Sequence, residues 1–269
     1  MPSGSRRKRA AVSTEIHQSI QRAASVLDAL GASETGQLRA SDIGRTIGLG
    51  PSTTARLLTT LEELGYVRKE PDGQLYSIGT AIFALATHGL NQIPVHRESR
   101  AAAQELAQKV GLSVNVGVRD GISVMYLCHF EGAKASKSHT MVGLRQPLHA
   151  SALGKCLLLD LSEDERIDLL GTELPRYTAN TITDHGALTK ELARSADRGT
   201  CIEDQELALG RLCIAAPIRN ASGRVVAALS ISGRMTVMRD SDLDSLSEEA
   251  IETADRISVG LGLISAIPA

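Results

Sequence analysis

A run of short polar side chains around one arginine could read a DNA groove. Residues 50–67, GPSTTARLLTTLEELGYV, carry Leu57, Leu58, Leu61 and Leu64 at i, i+1, i+4 and i+7, the apolar stripe of an α-helix. Ser52, Thr53, Arg56, Thr60 and Glu63 point away from that stripe, and Thr54 joins Thr53 and Arg56 as an expected groove contact. Hydroxyls at a helix N-terminus let the backbone approach phosphates, and one arginine can then reach a base edge or another phosphate. The second chemistry-bearing set lies in the C-terminal half. In LSISG, Ser230 and Ser232 are two apart on a strand and share a face, so both hydroxyls can converge on one ligand. In PLHASALGKC, the small residues Ala150, Ser151, Ala152 and Gly154 open a helix whose amides could cradle an anion. The acidic segment 203–206 precedes ALGRLCIAAP. Both sets also suit ordinary structure, a surface helix in the first case and small packing residues in the second.

The elements around each set narrow the choice. Gly50-Pro51 is helix-start chemistry, because proline at the first helical position surrenders an amide with no intrahelical acceptor. Upstream, residues 38–47 (LRASDIGRTI) read as a short helix with Ile43 and Ile47 on one face, closed by Gly48-Leu49-Gly50. Two short helices across a glycine turn have helix-turn-helix geometry. Gly65 ends the second helix, and YVRKEPDGQLYSI gives two β-rich runs around Pro71-Asp72-Gly73, a hairpin wing carrying Arg68 and Lys69. Residues 20–30 supply a supporting helix with Ile20, Ala23, Ala24, Leu27 and Leu30 at helical spacing. Residues 77–92 read as a helix closed by Pro94, either a connector or the last core helix of the first domain. A helix over 96–110 follows, then β-rich runs SVNVGV, ISVMYLCHF, CIAAPIR and VVAALSISG, and a last helix from Asp240 to about Ile264. Strands flanked by helices predict an α+β domain with an antiparallel sheet.

At 269 residues the chain has room for two domains with separate cores. Residues 1–80 hold ten Lys/Arg against eight Asp/Glu, a net of +2, and the remainder carries −4, so the basic excess is N-terminal within a chain of net −2. Arg6-Arg7-Lys8-Arg9 is either an arm along phosphates or a solvated tail. Aromatics at 2% and no tryptophan disfavour single-strand or RNA recognition, which leans on stacking platforms. Cys128, Cys156, Cys201 and Cys213 are scattered without a C-x-x-C pair and read as thiols of a reducing cytoplasm, not a zinc site or disulfide frame. No apolar run suggests a membrane span or signal peptide, so a cytoplasmic protein is expected. His149, Ser151 and Lys155 with the acidic segment could be combined as an enzyme site, but no nucleophile elbow, phosphate loop or metal-ligand spacing accompanies them.

The order of these pieces resembles the IclR family of bacterial transcriptional regulators. SIQRAASVLDAL, SDIGRTIGLGPSTTARLLTTLEELGYV and LYSIG carry the N-terminal half of the likeness; PLHASALGK, ALGRLCIAAP and ALSISG carry the other half. A disordered basic tail is expected over 1–16 from its composition, and the resemblance implies an α+β chain beyond it: a winged helix-turn-helix over 17–79, a linker helix over 80–93, and a GAF-like effector-binding and oligomerisation domain over 94–269. It implies double-stranded operator DNA, a small organic acid effector and a second copy of the chain as partners, in a homodimer or dimer of dimers. No cofactor, metal, membrane or catalysis is implied. DNA contacts fall to Arg39, Ser52, Thr53, Thr54, Arg56, Thr60, Arg68 and Lys69, and the effector pocket to Ala152, Leu153, Glu203, Cys213, Ser230 and Ser232. Leu153 is bulkier than the small residue of some members, and Glu203 stands where an aspartate occurs, which disfavours a two-carbon acid. Arg211 is either an added cation at that pocket or a surface residue.

Overall fold

The computed structural model describes residues 18–71, 73–135 and 141–264. The basic run at residues 6–9 and Asp72 of the wing turn lie outside them. Contacts divide the chain into two compact units that meet between Gly89 and Leu90.

In the first unit, α1 (Gln18–Gly31), β1 (Leu38–Arg39), α2 (Ala40–Thr46), α3 (Pro51–Glu63), β2 (Val67–Lys69) and β3 (Leu75–Ile78) surround one small core. Val26, Leu30, Ile43, Leu58, Leu61 and Val67 fill it. The expected helix over 38–47 is shorter at its start. Leu38 and Arg39 are extended and pair with Tyr76 and Leu75, so a third strand joins the wing, in the order β1-β3-β2. Leu64 is not part of the apolar stripe: it is the C-cap and is exposed, because the chain reverses at Gly65 with φ of 72° before the next turn can form. The helices of the helix-turn-helix approach closely. A Cβ at Gly44 would lie 2.9 Å from Thr54 Oγ1 and 3.0 Å from the Leu49 carbonyl oxygen. The helix α4 (Thr80–Gln92) runs across the division and has no buried residue.

The second unit begins with α5 (Pro94–Val110), in which Pro94 opens a helix at its first position; it does not merely close the one before. Next come β4 (Ser113–Asp120), β5 (Ser123–Glu131), β6 (Arg145–Pro147), α6 (Ala152–Leu157), α7 (Glu163–Leu170), α8 (His185–Arg198), β7 (Cys201–Asp204), β8 (Arg211–Arg219) and β9 (Val225–Arg234). The expected last helix is two: α9 (Met235–Arg239) and α10 (Leu243–Gly260), the second capped by Asp242. All six strands form one antiparallel sheet, β6-β5-β4-β9-β8-β7.

Alternation along the strands gives the sheet two faces. Val114, Val116, Leu212, Ile214, Leu229 and Ile231 join the core shared with Leu106 of α5 and Ile257 of α10. Their alternates Cys213, Ala215 and Ala228 pack with Leu153 and Cys156 of α6 and Leu188 of α8. That second face also carries Ser113, Asn115, Ser230 and Ser232, aligned by the β4–β9 register. α6 can lie close because Gly154 has no side chain; a Cβ there would come within 2.2 Å of the Leu148 carbonyl oxygen.

Candidate functional site

Ser52, Arg56 and Thr60 are exposed on α3 at i, i+4 and i+8 on one face, with Thr53 half-buried beside them; Thr59, Glu62 and Glu63 towards the helix end are exposed as well. Gly50 is extended and Pro51 opens the helix, so the Ser52 and Thr53 amides sit in the first turn, where the helix dipole favours anions. Thr60 Oγ1 donates to the Arg56 carbonyl oxygen at 3.1 Å. Thr54 is a correction to the sequence reading. It is only 1% exposed and its hydroxyl donates to the Gly50 carbonyl oxygen at 3.1 Å, so it fastens the α2–α3 turn and cannot reach a groove. A spacing of two residues from Arg56 turns it through about 200° at 3.6 residues per turn, away from the exposed face.

Arg39 is exposed at the start of α2. On the wing, Arg68 Nη2 donates to Glu70 Oε1 at 2.9 Å, the same oxygen that accepts from Ser77 Oγ at 2.6 Å. Lys69 Nζ lies 5.8 Å from the Tyr76 ring centroid. Both basic heads are exposed. The Arg68 head is exposed, whereas its partner Glu70 is largely covered and is also held by Ser77.

In the second unit a cavity of about 260 Å³ opens on the polar end of the sheet, lined by Ser113, Asn115, Ser232, His129, Arg211 and Arg234 among others. Its floor is a hydrogen-bonded set. Asn115 Nδ2 donates to Ser230 Oγ at 3.3 Å and to Ser232 Oγ at 3.2 Å, while Asn115 Oδ1 lies 2.7 Å from His129 Nδ1. With a carbonyl oxygen facing it, His129 Nδ1 carries the proton. Each serine accepts from Asn115, which leaves its own proton to donate. Ser232 lines the cavity, and Ser230 lies beneath, 2% exposed.

The other expected pocket residues stand behind this wall. Glu203 is 1% exposed, and its Oε1 accepts from the Glu206 and Leu207 amides at 2.8 and 3.1 Å. The intervening turn is set by Gln205, which alone among described non-glycine residues has a positive φ, 56°. Glu203 Oε2 is 3.7 Å from Arg211 Nε, which donates to Cys213 Sγ at 3.0 Å. Glu203 and Cys213 thus hold Arg211 at the cavity edge. Burial pushes the Cys213 thiol up to about 12, against the pull of Arg211, so it stays protonated at neutral pH. The Arg211 pKa is raised, chiefly by the neighbouring Cys213. Ala152 and Leu153 are buried in the apolar cluster under α6 and do not line this cavity.

Asn115, Ser113, His129 and Arg234 were missed in the sequence. Asn115 had a signal: in SVNVGV it is a polar residue between two valines that alternate to the opposite face.

Lys155, 1% exposed, donates to Glu206 Oε1 at 2.5 Å and to the Ile202 carbonyl oxygen at 2.9 Å, tying α6 to the loop after β7. Desolvation raises the Glu206 pKa, with Lys155 opposing. Ser151 Oγ donates to the Pro147 carbonyl oxygen at 2.7 Å and accepts from the Gly154 amide. His149 Nε2 meets the Pro175 carbonyl oxygen at 2.9 Å. These three side chains hold backbone and loops together and do not form a nucleophile–base pair. Among the described residues no cluster of metal-ligating side chains is found, and no helix is long and apolar enough to cross a membrane.

Residues 19–71 match the IclR helix-turn-helix domain, and residues 87–259 match the bacterial transcriptional regulator IclR C-terminal domain. The chain is 31% identical over 248 residues to the HTH-type transcriptional regulator XynR of Escherichia coli, covering 92% of this chain and 98% of that one. It is 32% identical over 247 residues to the HTH-type transcriptional repressor AllR of Salmonella typhi, covering 91% and 90%. Among solved structures, an IclR homolog complexed with 4-hydroxybenzoate from Microbacterium hydrocarbonoxydans superposes with a TM-score of 0.79 at 26% identity, covering 90% of this chain and 98% of that one. With an N-terminal helix-turn-helix that presents a polar helix face and a C-terminal sheet with an open cavity at one end, this chain belongs to the IclR family of DNA-binding transcriptional regulators.

Proposed function

We propose that the chain is a ligand-responsive repressor of a catabolic operon. It binds a palindromic operator as a homodimer or dimer of dimers in the cytoplasm, without catalysing a reaction. Residues 17–79 bind DNA, residues 80–93 link, and residues 94–269 bind effector and oligomerise. Two-fold symmetry in the protein requires two half-sites in register with two recognition helices. Ser52 and the first-turn amides meet a phosphate, Thr53, Arg56 and Thr60 face the major groove, and Arg39, Arg68 and Lys69 meet flanking backbone.

The observation that carries the effector half is the cavity itself, where hydroxyl protons and arginines converge in a space of about 260 Å³. That is roughly nine water volumes at ~30 Å³ each, room for a small organic acid. The bound 4-hydroxybenzoate of the Microbacterium structure supports a carboxylate, and the repressor name of AllR supports the direction of control. The acid shifts DNA affinity only by binding two conformations unequally.

The test is fluorescence anisotropy with DNA from upstream of the chain's own gene and its neighbours, at fixed salt, with and without added carboxylates. Arg56→Ala is expected to weaken binding about 5- to 150-fold, for ~1–3 kcal/mol. Failure of the wild type to bind any such fragment would refute the repressor reading. Binding that no carboxylate alters would remove the effector.

A further inference from the structure

Arg211 and Arg234 are direct partners in the β8–β9 register, so two arginines project from neighbouring positions at one end of the sheet. Directly opposed residues on antiparallel strands have Cβ atoms roughly 4.5–5.5 Å apart, and like charges there repel. Both arginines line the cavity, and Lys134 stands on its wall. Glu203 lies on the far side of Arg211 and engages its Nε. Among the described residues no carboxylate pairs with Arg234 or Lys134. An excess of fixed positive charge therefore surrounds one end of a cavity whose other end offers neutral donors, the hydroxyls of Ser113 and Ser232.

We infer that the effector carries two anionic groups and is a dicarboxylate, one carboxylate accepting from Ser113 and Ser232 and the second seated between Arg211 and Arg234. This rests on the organic-acid reading above and narrows it. The two ends of the site are set by β9: Ser232 and Arg234 are two residues apart on one face, roughly 6–7 Å along the strand, which fits an acid of roughly four to six carbons. A carboxylate between the guanidiniums takes hydrogen bonds from planar forks matched to it.

The experiment is calorimetric titration of the full chain with succinate, glutarate and adipate and with the monomethyl ester of each, which keeps length and removes one charge. At least one diacid is expected to bind tenfold or more tighter than its half-ester. Arg234→Gln is expected to bring that diacid down to the half-ester's level and to leave the half-ester unchanged, with circular dichroism showing an intact fold. Equal affinity for a diacid and its half-ester, or a preference that Arg234→Gln does not alter, would overturn the dianion while leaving the organic-acid reading standing. No binding of any of the six compounds would overturn both. A Ser232→Ala control should weaken diacid and half-ester by the same factor; a loss confined to one of them would contradict the assignment of the inner end.

Discussion

The two units use polar side chains in opposite ways. On α3, Ser52, Arg56 and Thr60 stand in solvent on a helix anchored from behind by Leu58 and Leu61. Their hydrogen-bonding capacity faces outward, as suits a large polyanion approached from one side. In the effector unit, Asn115, Ser230, Glu203, Lys155 and Glu206 are all buried, and nearly every polar atom is satisfied by another. Low dielectric strengthens such contacts and makes a missing partner costly. The outer surface is therefore expected to lose a side chain at little cost in stability, and the buried ion pair of the inner network to lose one at a larger cost. Glu206 Oε2, buried without a partner, is the exception within that network.

Four substitutions or conditions test this contrast, the largest effect first. Lys155→Met leaves Glu206 as an uncompensated buried carboxylate and is expected to cost ~3–5 kcal/mol. The loss should show in urea titration as a lower midpoint for the effector unit. A change below about 0.5 kcal/mol, the range of ordinary surface substitutions, would mean the inner network is no more demanding than the surface. Next, Arg56→Ala should leave that midpoint unmoved while the operator affinity falls as given above. If stability falls with it, Arg56 is a packing residue and the outward reading of α3 fails.

Thr54→Val separates neighbouring positions on one helix. Removing a buried hydroxyl bonded to Gly50 is expected to cost ~0.5–1.5 kcal/mol of stability in the first unit, with operator affinity of the folded protein within about twofold of wild type. A large selective loss of affinity would return Thr54 to the interface.

The smallest effect concerns pH. Burial lowers the His149 pKa below its usual 6.5. The unfolded chain then takes up a proton first as pH falls, so His149 favours the folded state above about pH 6.5 and withdraws that contribution between 6.5 and its own lowered value. Wild type should lose stability on going from pH 7.5 to 5.5 faster than His149→Gln. Parallel slopes would show that burial at this histidine does not matter to stability.

The helix-turn-helix, its wing and the order of strands were legible because they rest on short-range signals: apolar spacing, Pro51 at a helix start, Gly65 and Gly73 at reversals. Thr54 was misread for a related reason. Residue type marks it as polar, but whether a hydroxyl points out or in depends on where the neighbouring helix crosses, here at Gly44. The short strand at Leu38 and Arg39 went unseen because two residues carry no periodicity, and only their partners on β3 define them.

By itself the sequence determined that a winged helix-turn-helix precedes an α+β domain, that Ser230 and Ser232 share a face, and which family the motifs belong to. Only the tertiary structure decided that Asn115 bridges those serines, that Glu203 bonds the loop amides beyond it, and that Arg211 stands opposite Arg234. Each of those contacts joins residues on different strands or loops. A shift of register by one residue would send every side chain to the other face, and the packing that fixes register is spread over the whole sheet.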